Sequence, residues 1–314
     1  MAGFEDADDC DRLCRDGILK MCAGRSASDE IDLASQPTMT RLENRLTRKE
    51  LYDIGEAFID DFIASYNSEP DSIIIDADDT NADTYGAQQL TLFNAYYGEY
   101  CYMPLLLFEG RSGKLILPIL RPGRGNKAIN ISGLFKQLIT KLRKKWKHTQ
   151  IIVRGDSHFC SHDFMDWATE QQDGIHFITG LAGNVKLQKT TAHWLDTAVA
   201  SYKATGEEVR MFHSFMYKAN SWKHQQRVFV KIEVNSLETN VRYVVTDFKG
   251  RRPSFIYSEC YCGRGRMEQM IAELKNGLKA DRMSCNKFSA NQFRLYLHCA
   301  AYVILHSFQA DMLV

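Results

Sequence analysis

Apolar and polar positions along the chain follow two periods, and the changes between them mark its elements. From Thr47, the stretch TRKELYDIGEAFIDDFIASY repeats Leu51, Ile54, Phe58 and Phe62 at helical spacing, with Thr47 suited to be an N-cap. Residues 1–70 as a whole read as a helical, polar N-terminal segment. SIIIDADDT (72–80) is a short β-branched run that ends in acids. TLFNAYYGEY (91–100), YMPLLLFEG (102–110) and KLILPILRPG (114–123) are rich in aromatic and branched residues and separated by glycine-containing turns. The pattern predicts one central strand followed by an antiparallel meander, with Arg111-Ser112-Gly113 turning one hairpin.

ISGLFKQLITKLRKKWKH (131–148) predicts a helix with Leu134, Leu138, Leu142 and Trp146 along one face. Lys141, Arg143, Lys144, Lys145 and Lys147 charge the rest, which suits the solvated face of a core helix better than a nucleic-acid surface. TQIIVRGDSHF (149–159) is a strand ending at an acid, SHDFMDWATEQQ (161–172) a short helix with Ser161 as cap, and GIHFITGLAG (174–183) a further strand. Strands alternating with helices after an initial meander predict an α/β fold built on a mixed sheet flanked by helices. Residues 184–255 hold three strand candidates and no long helix, and read as a β-rich insertion. A helix over about 261–280 and a closing apolar helix, NQFRLYLHCAAYVILHSF, follow. The expected organisation is 1–70 helical segment, 71–183 first part of the core, 184–255 insertion and 256–314 C-terminal helices of the core.

Composition narrows the functional classes only a little. The 314 residues, 45% hydrophobic and 25% charged, are ordinary for a soluble globular protein of one large domain or about two. With 39 basic and 39 acidic residues the net charge is zero, so binding to nucleic acid has to come from a local patch. The nine cysteines form no C-x-x-C pair and follow no secretory signal, which points to reduced thiols in a cytosolic protein. Cys10, Cys14 and Cys22 have the wrong spacing for a zinc site. No apolar run is long enough to cross a bilayer, and the acidic N-terminus lacks a targeting core, so a cytoplasmic location without membrane partners is expected.

The candidate chemistry lies at strand ends and on one helix. In YCGRGRMEQMIAELK, Tyr261, Arg264, Glu268 and Lys275 stand at offsets of zero, three, seven and fourteen. On a regular α-helix these fall within about 60° of one another, beside an apolar stripe of Met267, Ile271, Leu274 and Leu278. Arg264 and Glu268 could form a simple surface ion pair worth a few tenths of a kcal/mol. Asp76 and Asp78 end the first strand on a shared face, and Asp156 ends the strand after the basic helix. Singly, such acids are commonly turn or cap residues. Together with Glu268 they could present several hard oxygens, which suit Mg²⁺ or Mn²⁺ and a pair of ions about 3.5–4 Å apart for phosphoryl displacement.

The Tyr261, Arg264, Glu268, Lys275 spacing resembles the YREK signature of cut-and-paste transposases from bacterial insertion sequences. The chain is similar over nearly its whole length to one such group, the "thirteen-eighty" family. The likeness is carried by ASQPTMTRLEN (34–44), DADDT (76–80), GAQQLTLFNAYYGEYCYMPL (86–105), RGDSHF (154–159), GLAGN (180–184) and DRMSC (281–285). The resemblance implies an RNase H-like mixed sheet with a β-rich insertion before the last catalytic helix. It also implies a DDE triad of Asp78, Asp156 and Glu268 binding two Mg²⁺ (or Mn²⁺) ions, with Asp76 as the alternative first acid, and carboxylates that converge within metal-sharing distance. Tyr261, Arg264 and Lys275 would hold phosphates of double-stranded DNA at transposon ends, in a bacterial, nucleoid-associated protein that pairs as a homodimer on DNA. Relatives in the group are usually longer at both ends, which leaves a truncated, catalytically silent DNA-binding remnant as the alternative.

Overall fold

The computed structural model describes residues 7–124, 130–171 and 174–312. The first six residues of the acidic N-terminus and Gln172, at the end of the expected short helix, lie outside them. In chain order the strands are β1 (Ser72–Asp79), β2 (Ala82–Asp83), β3 (Leu92–Asn94), β4 (Glu99–Tyr102), β5 (Leu105–Glu109), β6 (Leu115–Ile119), β7 (Gln150–Gly155), β8 (Ile175–Leu181), β9 (Val209–Tyr217), β10 (Gln226–Val234) and β11 (Thr239–Thr246). The helices are α1 (Cys10–Leu13), α2 (Gly17–Cys22), α3 (Gln36–Arg45), α4 (Arg48–Ala64), α5 (Ile131–Lys145), α6 (His162–Glu170), α7 (Val185–Thr205), α8 (Pro253–Phe255), α9 (Gly265–Ala272) and α10 (Phe288–Met312).

Among the described residues the main sheet has eight strands in the order β6-β5-β1-β7-β8-β11-β10-β9. β1, β7 and β8 run parallel, while β5 and β6 on one side and β11, β10 and β9 on the other are antiparallel additions. This is the RNase H-like mixed sheet flanked by helices that the sequence resemblance implies.

Side-chain alternation along β1 separates the two faces of the sheet. Ile73, Ile75 and Ala77 are buried against Phe135, Leu138 and Leu142 of α5 and Ile59 and Phe62 of α4. Asp76 and Asp78 point to the other face, opposite Phe108 and Leu106 of β5, where α9 and α10 pack through Met267, Met270, Leu295 and Cys299. Thr47 caps α4 as expected. Its hydroxyl accepts from the Glu50 amide (3.2 Å), and Glu50 Oε2 accepts from the Thr47 amide (2.7 Å), a reciprocal capping box. Ser161 stands at the N-cap position of α6, but its side chain makes no capping bond.

Three elements differ from the expected pattern. TLFNAYYGEY forms two short strands, β3 and β4, in a separate sheet ordered β2-β4-β3. Asn94 is the reason: its side-chain oxygen accepts from the amides of Tyr96 (2.9 Å) and Tyr97 (3.4 Å), and Gly98 supplies a φ of 71° that reverses the chain. A helix of 21 residues, α7, opens the segment 184–255, which the pattern reads as strands alone. Asn184 caps it through the Leu187 amide and Gly206 ends it at φ 71°. Leu187, Thr191 and Ala198 are buried along it, and Trp194, Leu195, Val199 and Tyr202 pack beside them against the main core, a face at helical spacing. The following strands β9–β11 continue the main sheet from β8.

The third difference lies in the helix of the YREK spacing, whose winding is irregular. α8 runs into a π segment (Ile256–Tyr261), a 3₁₀ turn (Cys262–Arg264), α9 and a second π segment (Glu273–Gly277). π turns bond i to i+5 and rotate less per residue, so the uniform 100° step does not hold across Tyr261–Lys275. The apolar stripe survives: Met267 and Leu274 are buried, Ile271 and Leu278 pack beside them, and Met270 joins the same core.

Candidate active site

Adjacent parallel strands β1 and β7 bring Asp78 and Asp156 to the same edge of the sheet, the position at which open α/β sheets hold their ligands. Both line a cleft of about 540 Å³ together with Asp79, His158, Met103 and the β3–β4 turn. Asp156 does what a strand-end acid commonly does: its Oδ1 accepts from the His158 amide (2.8 Å) and caps the short turn Ser157–Phe159. His158 Nδ1 lies 3.6 Å from Asp156 Oδ2 and 4.0 Å from Asp79 Oδ1, bridging the two acids from the open side.

The two acids of β1 that the residues left as alternatives have different surroundings. Asp76 is fully buried and paired with Arg154, whose Nη2 donates to Asp76 Oδ2 at 2.7 Å while Nε donates to Oδ1. Arg154 Nη1 also donates to the Cys260 carbonyl (2.6 Å), tying the irregular helix to β7. Gly110 makes room for the pair, since a Cβ there would stand 2.5 Å from Asp76 Oδ2. Asp78 stands nearer the opening, with a side chain 15% exposed, and Oδ2 accepts from Arg264 Nη1 at 2.9 Å. Burial pushes its carboxyl up to about 6; Arg264 opposes that rise, while Asp156 and Asp79 add to it. A cation between Asp78 and Asp156 would relieve that repulsion.

Tyr261, Arg264 and Lys275 all face this edge. Tyr261 is half-buried and its hydroxyl lies beside Gly180, where an added Cβ would stand 2.8 Å from both that oxygen and the Ser157 amide nitrogen. Burial raises the Tyr261 phenol above its usual range, which keeps it a neutral donor. Lys275 Nζ donates to the carbonyl (3.0 Å) and side-chain oxygen (3.1 Å) of Asn81, holding the turn after β1. Glu268 is exposed, one turn beyond Arg264, and it is the Arg264 guanidinium that meets Asp78. Among the described residues, no group of three or more His, Cys, Asp or Glu side chains stands close enough together to hold a metal ion. The structure therefore brings Asp78 and Asp156 into one cleft and leaves Glu268 outside a three-carboxylate cluster.

Several residues of the site escaped the sequence reading. Arg154 carried a signal, because an arginine inside the apolar strand IIVRG must find a buried acid. Arg121, fully buried, donates from Nη2 to Asp79 Oδ2 (2.6 Å) and from Nε to the Met103 carbonyl (3.0 Å), so the acid next to Asp78 is held by its own arginine.

A family model for the transposase DDE domain, group 1, matches residues 1–314, and the chain belongs to that family. It is accordingly a transposase of the DDE class. No curated protein matches the chain. Among solved structures, a piggyBac transposase synaptic complex with hairpin DNA is similar at 13% identity and a TM-score of 0.44, covering 96% of this chain and 69% of that one. The NurA nuclease from Sulfolobus solfataricus is similar at 9% identity and a TM-score of 0.28, covering 88% of this chain and 97% of that one. Among the described residues, no helix is long and apolar enough to cross a membrane.

Proposed function

We propose that the chain is a metal-dependent DNA transposase of the YREK-bearing insertion-sequence type, most like the "thirteen-eighty" group. It would cut double-stranded DNA at the element's ends and join the freed 3′-hydroxyls to a target. The observation that carries this reading is the meeting of Asp78 and Asp156 at the ends of adjacent parallel strands, in one cleft, with Arg264 on Asp78. Asp78 fits the role of first catalytic acid better than Asp76, both of whose oxygens are engaged by Arg154.

Asp78 and Asp156, two carboxylates close enough to repel, suit a hard divalent cation; Glu268, exposed on the neighbouring helix, would have to move in to be the third ligand. Mg²⁺ or Mn²⁺, when bound, supplies an activated oxygen nucleophile and charge neutralisation at the scissile phosphate. The protein's own part is positioning, which carries most of the catalysis in phosphoryl transfer. Arg264, released from Asp78, is within reach of a phosphate at the cleft mouth, and Tyr261 offers a neutral hydroxyl beside it. Lys275 keeps the end of β1 in place and, 3.7 Å from Asp281, would turn its charge from that acid to the DNA backbone. Synapsis of two ends would pair two copies of the chain on DNA, in the bacterial cytoplasm at the nucleoid.

Asp78→Ala, Asp156→Ala and Glu268→Ala are each expected to abolish cleavage of a labelled transposon-end duplex in Mg²⁺ while the folded circular-dichroism spectrum is kept. Cleavage by any one of the three would sink the triad. The exposed position of Glu268 favours a second reading, a catalytically silent DNA-binding remnant; wild-type protein that binds end DNA yet fails to cut it in Mn²⁺ would establish that one.

A further inference from the structure

The cleft that holds Asp78 and Asp156 has a second wall that the acids do not explain. It is made by the β3–β4 turn, where Phe93, Tyr96 and Tyr97 line the same space. Tyr96 is 87% exposed and Phe93 45%, so these rings do not serve the protein core. Nor are they loose: the Asn94 side chain fixes the turn, Tyr96 packs edge-on to Tyr97 (centroids 4.9 Å apart), and Phe93 packs edge-on to Tyr100 (5.6 Å). Burial, with Asp79 close by, pushes the Tyr97 phenol up to about 12, so that ring carries no charge to repel a phosphate.

Resting on the transposase reading above, we infer that this aromatic wall is a stacking subsite for an unpaired base of the DNA strand whose phosphate lies at Asp78 and Asp156. The chemistry selects the ligand. At about 540 Å³ the cleft is of a size for one or two nucleotides, within the range of roughly 300–1,000 Å³ of small-ligand pockets, and too small for a duplex. A paired base hides its faces in the helical stack, whereas an unstacked one offers a π face to a tyrosine, whatever its sequence. A strand held by its phosphate at the acids has its neighbouring base within the same cleft, against Tyr96 and Tyr97. The subsite therefore takes frayed, extruded or single-stranded nucleotides next to the scissile position.

Equilibrium binding in Ca²⁺ tests this with three probes: a blunt end duplex, the same duplex with a short unpaired thymidine extension, and one whose extension lacks bases. Wild-type protein is expected to bind the thymidine extension roughly five- to a hundredfold more tightly than the blunt duplex, and the baseless extension no better than blunt. Tyr96→Ala should erase the preference without changing blunt-duplex affinity, and Tyr96→Phe should keep it. A preference that persists in Tyr96→Ala, or is absent from wild-type protein that still binds the blunt duplex, overturns the subsite alone. Failure to bind any of the three DNAs overturns the transposase reading and the subsite with it.

Discussion

Arg154 engages both oxygens of Asp76, whereas Asp78 meets Arg264 through one, and the two pairs do different work. The first is sealed in the sheet and also holds the Cys260 carbonyl, so it fastens the irregular helix to β7. Removing one partner of a buried ion pair strands the other charge, at a typical cost of about 3–5 kcal/mol. Arg154→Ala should therefore lower the urea midpoint by that amount of stability, far more than a substitution of exposed Arg266 would. The second pair is set at an opening, and its acid is held up at about 6 against 3.8 for a free carboxyl. A raised folded-state value means that the folded protein holds this proton more tightly than the unfolded chain. The stabilisation is complete below the unfolded value and lost as pH rises through about 6. Metal-free wild-type protein should thus lose on the order of 2–3 kcal/mol relative to Asp78→Asn between about pH 4 and about pH 7, by urea denaturation in a chelator.

At the scale of elements, the parts written in a strong period were legible. β1, β5, β7 and β8 stood out as branched runs, α4 and α5 as amphipathic helices, and the acids at the ends of β1 and β7 followed from those strands. α7 was written in the same helical period, through Leu187, Thr191, Trp194, Leu195, Ala198, Val199 and Tyr202 between the caps Asn184 and Gly206, and was masked only by the strand candidates that follow it. The β3–β4 turn was hidden because its aromatic residues mimic a strand, while Asn94 and Gly98 decide the reversal. The site was half legible. Spacing brought Tyr261, Arg264 and Lys275 toward one edge, but the π and 3₁₀ segments lie outside any fixed 100° step, and the partner of Arg264 is far away in sequence. The close approach of that helix to β8 makes a local test. Gly180→Ala would press a methyl group against the Ser157 amide and the Tyr261 hydroxyl. It should cost about 1–3 kcal/mol in urea denaturation, in the range of overpacking, and Tyr261→Phe in the same chain should recover part of the loss.

At the scale of the whole molecule, one continuous sheet divides the labour between its faces. α4 and α5 build the core on one side, and the other side carries α9, α10 and the acids. The Asp78–Arg264 contact, which bridges that second face, has a thermodynamic consequence. On the proposed function, the paired acid is not available to a cation nor the paired guanidinium to a phosphate. A cation taking Asp78 frees Arg264 for DNA, and a phosphate taking Arg264 frees Asp78 for the cation. Linkage requires that each ligand tighten the other by the same factor, commonly about 5–150-fold. Calorimetric titration should find Ca²⁺ binding enhanced by end DNA and DNA binding enhanced equally by Ca²⁺, with Arg264→Ala taking up Ca²⁺ more readily alone and losing the mutual enhancement. If the proposed function holds, such a contact acts as a latch that only cation and DNA together release, and the latch is built from the groups it restrains.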